Sequence, residues 1–257
     1  MISPKTKQEI NVLREGGRRH AIILHELAQM CVPGVSSFEI EERARALCKK
    51  HQVIPAFLNY PGEATYPFPS SICFSVNDEI VHGIPNQSNK ILQDGDVVTI
   101  DIGIIFNDLI TDAAVTVIVG EDKKGYQSMI DAANYGLAAG IGAALVDSPV
   151  SDIGCAIEQV IKRHGDYTIY RGLVGHGVGY DLHEEPNIPN FCTKNRRPLI
   201  PSGAVLAIEP MIGDGSPKFI LDPDEWTYRT VDGSVSVHVE HTIVVLDNGP
   251  EILTTIR

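Results

Sequence analysis

No run in this chain of 257 residues stays apolar for the roughly 18 residues that a membrane-spanning helix needs, so no membrane association is expected. The opening segment, MISPKTKQEINVLREGG, is too polar for a secretory leader. Basic residues are scarce. Lys and Arg number 21 against 33 Asp and Glu, a formal charge of −12, which argues against a broad basic face for DNA. Cysteine is sparse and unpatterned: Cys31, Cys48, Cys73, Cys155 and Cys192 form no CxxC and are odd in number. That fits free thiols in a reducing compartment better than a disulfide framework. No fixed-period repeat and no low-complexity linker divides the chain. With 43% hydrophobic residues there is ample material for a core, and the expectation is a cytoplasmic protein with a single domain over 1–257.

What is present reads in the order helices, hairpin, helices, strands, an α+β pattern. An amphipathic helix is expected from 5 to about 31, with Ile10, Leu13, Leu24, Leu27 and Ala28 as its buried stripe. Gly16-Gly17 weakens it and Pro33-Gly34 ends it. Ser36-Ser37-Phe38-Glu39 has the form of a capping box opening a second helix to about His51. From Pro55 to Ser71 the text has prolines and aromatics and no period, which marks a long loop of the kind that binds. Strands are expected at Ser71–Ser75, Val97–Ile105, Leu109–Val119, Tyr167–Arg171, Ala204–Glu209, Trp226–Val231 and Val235–Val245, and helices at Glu121–Leu145 and Pro149–His164.

The chemistry concentrates in Gly175–Phe191, GHGVGYDLHEEPNIPNF. Its glycines and prolines argue against a regular helix or a central strand, and His176 and His183 sit where the backbone can approach a ligand. The plain alternative is a surface loop with incidental histidines. Carboxylates elsewhere weigh against it. Asp101 interrupts an apolar strand, and Asp112 lies on its hairpin partner. The two are directly opposite if the turn centres on Phe106-Asn107, and diagonal neighbours if it centres on Asn107-Asp108. Either way they share a face within roughly 5–8 Å, and two like charges there repel unless a proton or cation separates them. Glu209 ends the apolar run AVLAIE, and Glu240 falls at the centre of the strand Val235–Val245. Four carboxylates on separate strands, with His176, make a donor set suited to Mn, Fe, Co or Zn, and acidic enough for two divalent ions.

These residues together resemble type I methionine aminopeptidases. Asp101 in TIDIG, Asp112 in TDAAV, His176 in GHGVG, Glu209 in IEPM and Glu240 in VEHTIVV are similar to the family's five metal ligands. VHGIP around His82 and LHEEP around His183 are similar to two further motifs, and the likeness runs nearly end to end. The resemblance implies a pita-bread fold: two related halves with helices outside a curved antiparallel sheet and two divalent ions in the cleft. It implies a hydrolase that removes the initiator methionine from nascent polypeptide N-termini when the second residue is small. In such enzymes Asp112 and Glu240 would bridge both ions, Asp101 would hold one, and His176 and Glu209 the other. His82 and His183 would contact substrate and the reacting centre, and Glu209 would also shuttle a proton. Tyr60, Phe68, Cys73, Leu182 and Trp226 would line the methionine pocket. The implied partner is the nascent chain; ribosome contact is compatible with that role, and a monomer is expected. Departures are an expanded stretch GEATYPFPSS before Cys73, Leu182 where relatives often carry an aromatic, and His238 where they often carry glutamine. The chain also lacks an extended N-terminal segment and so resembles the short bacterial form.

Two rivals remain. Proline-specific (Xaa-Pro) peptidases share the five ligands but usually carry a large extra N-terminal domain, whereas here about 70 residues precede SICFS. A non-catalytic binding module of the same fold would have lost ligands, and this chain keeps all five.

Overall fold

Two reciprocal caps start the first two helices. In the computed structural model of the protein, which describes residues 2–87 and 89–256, α1 (Lys7–Gln29) opens on Thr6. Its side chain accepts the Glu9 N–H while Glu9 accepts the Thr6 N–H. The second helix, α2 (Ser37–Lys50), opens in the same way on Ser36 and Glu39. Each pair satisfies N–H groups otherwise bare at a helix start. Gly16 and Gly17 do not interrupt α1. They are buried, and a Cβ at Gly17 would collide with the Leu253 carbonyl, so glycine there permits a close backbone approach.

Strands β1 (Ile54–Pro55), β2 (Cys73–Val76), β3 (Glu79–Val81), β4 (Val97–Phe106) and β5 (Leu109–Ile118) follow. Next comes α3 (Gln127–Ala143), which starts later than the sequence suggested because the Asp122 carboxylate gathers the N–H groups of Gly125, Tyr126 and Gln127 into a turn. The last helix, α4 (Ser151–His164), packs Ile157 and Ile161 onto Gly140 and Gly136 of α3. The remaining strands are β6 (Thr168–Ile169), β7 (Val174–Gly177), β8 (Glu184–Pro189), β9 (Val205–Ile208), β10 (Met211–Gly213), β11 (Phe219–Leu221), β12 (Tyr228–Thr230), β13 (Ser236–His238), β14 (His241–Leu246) and β15 (Gly249–Ile252).

All strand pairings among the described residues are antiparallel. In the first half β4 pairs with β5 on one side and with β2 and β1 on the other. In the second half five strands run in the order β15-β14-β9-β7-β8, and three in the order β13-β10-β6. Helices cover each half. Ile23 and Leu27 of α1 and Ile40 and Leu47 of α2 bury against Phe74 and Ile100. Leu137 of α3 and Ile153 and Ile157 of α4 bury against Leu206, Ile208 and Ile243. Each such side chain contributes about 1.5–3 kcal/mol by leaving water. A third cluster, with Leu13, Phe68, Leu182, Trp226 and Val244, lies between the halves.

Two threonines stitch the halves together. Thr242 Oγ1 accepts the Asp112 N–H at 2.8 Å and donates to the Asp112 carbonyl at 2.7 Å. Thr116 Oγ1 accepts the His238 N–H at 3.0 Å and donates to the His238 carbonyl at 2.6 Å. Strand β5 is thereby held against β13 and β14, and every polar backbone group involved keeps a partner.

Several expectations need correction. Gly175–Phe191 contains two strands, and β7 is an inner strand between β9 and β8. The glycines make this workable: a Cβ at Gly175 would strike the Ala207 carbonyl and one at Gly177 the Glu185 carbonyl. The prolines lie on β8, an edge strand, where a missing N–H is tolerated. The expected strand Val235–Val245 is two strands, with Val239 and Glu240 between them. The cysteines are not all free. Cys155 and Cys192 form a disulfide joining α4 to the segment after β8, while Cys31, Cys48 and Cys73 are free and buried. The residues are 37 apart in sequence, so no local motif announced the pair. β1, β3, β10, β11 and β15 had no expected counterpart; each is too short for a clear alternation.

Candidate active site

The hairpin sets the first two carboxylates. Asp101 pairs with Ala114 and Gly103 with Asp112, so the turn lies at Asn107-Asp108 and the aspartates are diagonal neighbours on one face. From the second half, β7 supplies His176, whose Nδ1 lies 2.9 Å from the Gly177 carbonyl. With that nitrogen donating, Nε2 is left as the ring's lone-pair atom. It faces Glu209 Oε1 at 3.4 Å and Asp112 Oδ2 at 3.9 Å. Glu209 follows β9 and is held from behind by Asn190, whose Nδ2 donates to its carbonyl at 2.9 Å. Glu240 occupies the break between β13 and β14, and its N–H donates to the Ala114 carbonyl. Donor atoms of Asp112, His176 and Glu240 lie within 4.8 Å of one another.

Burial and mutual repulsion dominate the electrostatics. Burial, then the charge of Glu209, pushes Asp112 up to about 8. Asp101 is raised by burial and by Asp112, Glu209 by burial, and Glu240 by burial and by Asp112. Asp101 Oδ1, Asp112 Oδ1 and Glu240 Oε1 are buried and make no hydrogen bond among the described residues. Buried carboxylate oxygens left bare and clustered are costly unless a cation joins them. The imidazole donor is neutral, as a ligand must be: burial and His183 lower His176 to about 3. The donor set therefore fits hard or borderline divalent ions.

The twelve residues expected as metal ligands, substrate contacts or pocket wall line one cavity of about 500 Å³. Its apolar side holds Phe68, Cys73, Leu182 and Trp226. Phe68 and Trp226 meet edge to face at 5.2 Å, a favourable arrangement for aromatic rings. Burial, with Asp101 beside it, drives the Cys73 thiol well up, so it stays neutral wall material. His82 adopts φ 61°, a conformation of order 1–3 kcal/mol above the ordinary regions for a non-glycine residue. Its ring packs on Tyr228 at 5.9 Å, and burial with His183 nearby lowers its pKa to about 4. Burial also lowers His183.

Other members were not legible in advance. Tyr228 and Met211 line the cavity, yet neither belongs to a chemical pattern. Lys5, near the start of the chain, donates to Glu184 Oε2 at 2.6 Å, while Glu184 Oε1 accepts the N–H groups of Tyr180 and Asp181. Lys5 thus pins the loop that carries His183. His238 is buried with both ring nitrogens free of hydrogen bonds among the described residues, and Nε2 stands 3.4 Å from Glu209 Oε2. Its histidine-for-glutamine departure was the only signal for it.

Carboxylates and a neutral imidazole converging at the junction of two helix-covered halves define a metal-dependent hydrolase. Residues 11–247 match metallopeptidase family M24, and the chain belongs to that family, which implies divalent metals. Methionine aminopeptidase 1 of Bacillus subtilis is 39% identical over 256 residues, covering 100% of each chain. The solved methionine aminopeptidase of Thermotoga maritima superposes with a TM-score of 0.93 at 37% identity, over 99% of this chain and 100% of that one. The group within the family is accordingly that of the methionine aminopeptidases, with the pita-bread fold. A prolidase from Pyrococcus furiosus shares that fold at a TM-score of 0.76 and 22% identity, and this chain covers 66% of it.

Proposed function

We propose that this chain removes the N-terminal methionine from nascent polypeptides when the second residue is small, working in the cytoplasm. The observation that carries this reading is the cavity itself. An unbranched apolar side chain fits the wall formed by Phe68, Cys73, Leu182 and Trp226, with the buried donor cluster at its end. Full-length likeness to proteins named methionine aminopeptidase points the same way.

Asp101, Asp112, His176, Glu209 and Glu240 would hold two divalent ions of the Mn, Fe, Co or Zn class. Asp112 and Glu240 would be shared, Asp101 would serve one ion, and His176 with Glu209 the other. When bound, such ions supply Lewis acidity, which lowers the pKa of water in the site toward about 7 and polarises a carbonyl. The chain's own residues do the rest. The apolar wall seats the methionine side chain and so brings the substrate's N-terminus to the donor cluster at the end of the cavity. His82, rigid on its turn, borders the substrate backbone. His183 donates a hydrogen bond to the carbonyl oxygen as charge develops there, an effect of about 2.7–4 kcal/mol for one well-placed donor. Glu209 takes the proton released by water and returns it to the leaving amine.

The test is substrate choice. Met-Ala-Ser should be cleaved far faster than Met-Leu-Ser, Ala-Ala-Ser or a Xaa-Pro dipeptide in the metal-loaded protein. Comparable rates on all four, or preference for Xaa-Pro, would remove the assignment.

A further inference from the structure

Tyr60 forms part of the cavity wall, but its hydroxyl is engaged elsewhere. It lies 2.7 Å from Nδ1 of His183, and the two rings stand edge to face with centroids 5.3 Å apart. His183 also meets the His176 ring at 4.5 Å, and its loop is pinned through Glu184 to Lys5. The imidazole is therefore held from several sides, and the partner of Nδ1 decides which nitrogen carries its proton.

A phenol ionises near pH ~10, so Tyr60 carries its proton at neutral pH, whereas a neutral imidazole has one N–H and one acceptor nitrogen. The Tyr60 hydroxyl makes no hydrogen bond among the described residues other than that to His183. Donating to Nδ1 satisfies both groups at once. The single imidazole proton then sits on Nε2. The opposite arrangement would place the N–H on Nδ1, against Tyr60, and leave Nε2 without a hydrogen to offer a substrate oxygen.

We infer that Tyr60 is the positioning residue for His183: its O–H, donated to Nδ1, holds the imidazole in the Nε2–H tautomer, the form able to donate to a developing oxyanion. The inference rests on the aminopeptidase reading for its consequence, though not for its geometry. It separates two roles within one side chain, because the ring serves the apolar wall and the hydroxyl serves His183.

Tyr60→Phe keeps the ring and removes the hydroxyl. In the metal-loaded protein it should lower kcat on Met-Ala-Ser about tenfold or more, with KM within about twofold of the parent. Tyr60→Ala should lower kcat and raise KM as well, since it also opens the wall. The spectroscopic readout is the ring-nitrogen NMR of 15N-histidine protein loaded with zinc, with the His183 signals identified by their loss in His183→Asn. The parent should show His183 protonated at Nε2 and bare at Nδ1, and Tyr60→Phe should lose that bias. Parent-like kcat in Tyr60→Phe, a protonated Nδ1 in the parent, or an unchanged tautomer in the variant would each overturn the inference. If the parent fails to cleave Met-Ala-Ser, it is the functional reading that fails, and the nitrogen spectra still decide the role of Tyr60.

Discussion

Glu209 and Glu240 stand opposite each other at a shared break in two neighbouring strands. Ile208 faces His241 on one side of the break and Met211 faces His238 on the other, so an uninterrupted register sets the two glutamates face to face. Pro210 has no N–H to give the ladder, and the Glu240 N–H turns instead to Ala114 in the other half. The break frees both carboxylates from a purely structural role and aims them at one place.

Their proposed duties differ, and so should their loss. As a shared ligand, Glu240 would offset repulsion between two dications about 3.5–4 Å apart. Glu240→Ala should weaken both ions together, whereas Glu209→Ala should weaken one and leave the other titratable. Calorimetric metal titration separates the cases. A tight single site surviving in Glu240→Ala while Glu209→Ala loses both would reverse the assignment.

Metal removal should lower thermal stability, and the deficit should grow with pH. In the metal-free protein Asp112 is raised to about 8 by burial and Glu209, and Asp101, Glu209 and Glu240 are raised too. Unfolded carboxyls titrate near ~4, so the folded state binds more protons between those values. The stability tied to these protons is present below about pH 4 and is lost as pH rises through 8. Chelator-treated protein should therefore melt progressively lower from about pH 5 to 8. Metal at about 100 times its Kd adds about 2.7 kcal/mol, or roughly 5–10 °C for a chain of this size. Scanning calorimetry with and without metal across that range checks both statements; a flat metal-free profile would contradict them.

His183→Ala should lower kcat/KM by about 10²-fold or more while metal content stays at the parent level. Metal analysis alongside steady-state kinetics decides this, because loss of an ion would make His183 a ligand.

Gly62→Ala should disturb the methionine pocket from a distance. Gly62 has φ 47°, and a Cβ there would overlap the Trp226 ring. KM for methionine peptides should rise several-fold with a smaller change in kcat. Trp226 is the single tryptophan of the chain, so its emission reports the displacement directly. An unchanged spectrum with parent kinetics would show that the loop yields without moving the ring.

The candidate site residues were readable because they break the pattern of their surroundings. Asp101 within VVTIDIGIIF has no structural reason to be acidic, and Ser36 with Glu39 spells out its cap. What was not readable depends on contacts far apart in sequence. The inner position of β7 follows from Ala207 and Glu185 approaching Gly175 and Gly177, which a local glycine count reads only as irregularity. Cys155 meets Cys192 because α4 packs beside the end of β8. Lys5 reaches Glu184 across 179 positions, and no pattern near either residue hints at it.

The threonine stitches join the two parts of the candidate donor set. Asp101 and Asp112 belong to one half, and His176, Glu209 and Glu240 to the other, so neither half alone possesses a complete set of donors. Thr116 and Thr242 fix the distance at which the sets meet. If these five residues are the reaction centre, a chain docked one residue out of step between the halves would not bring the two donor sets together, so the proposed activity depends on the finished tertiary structure.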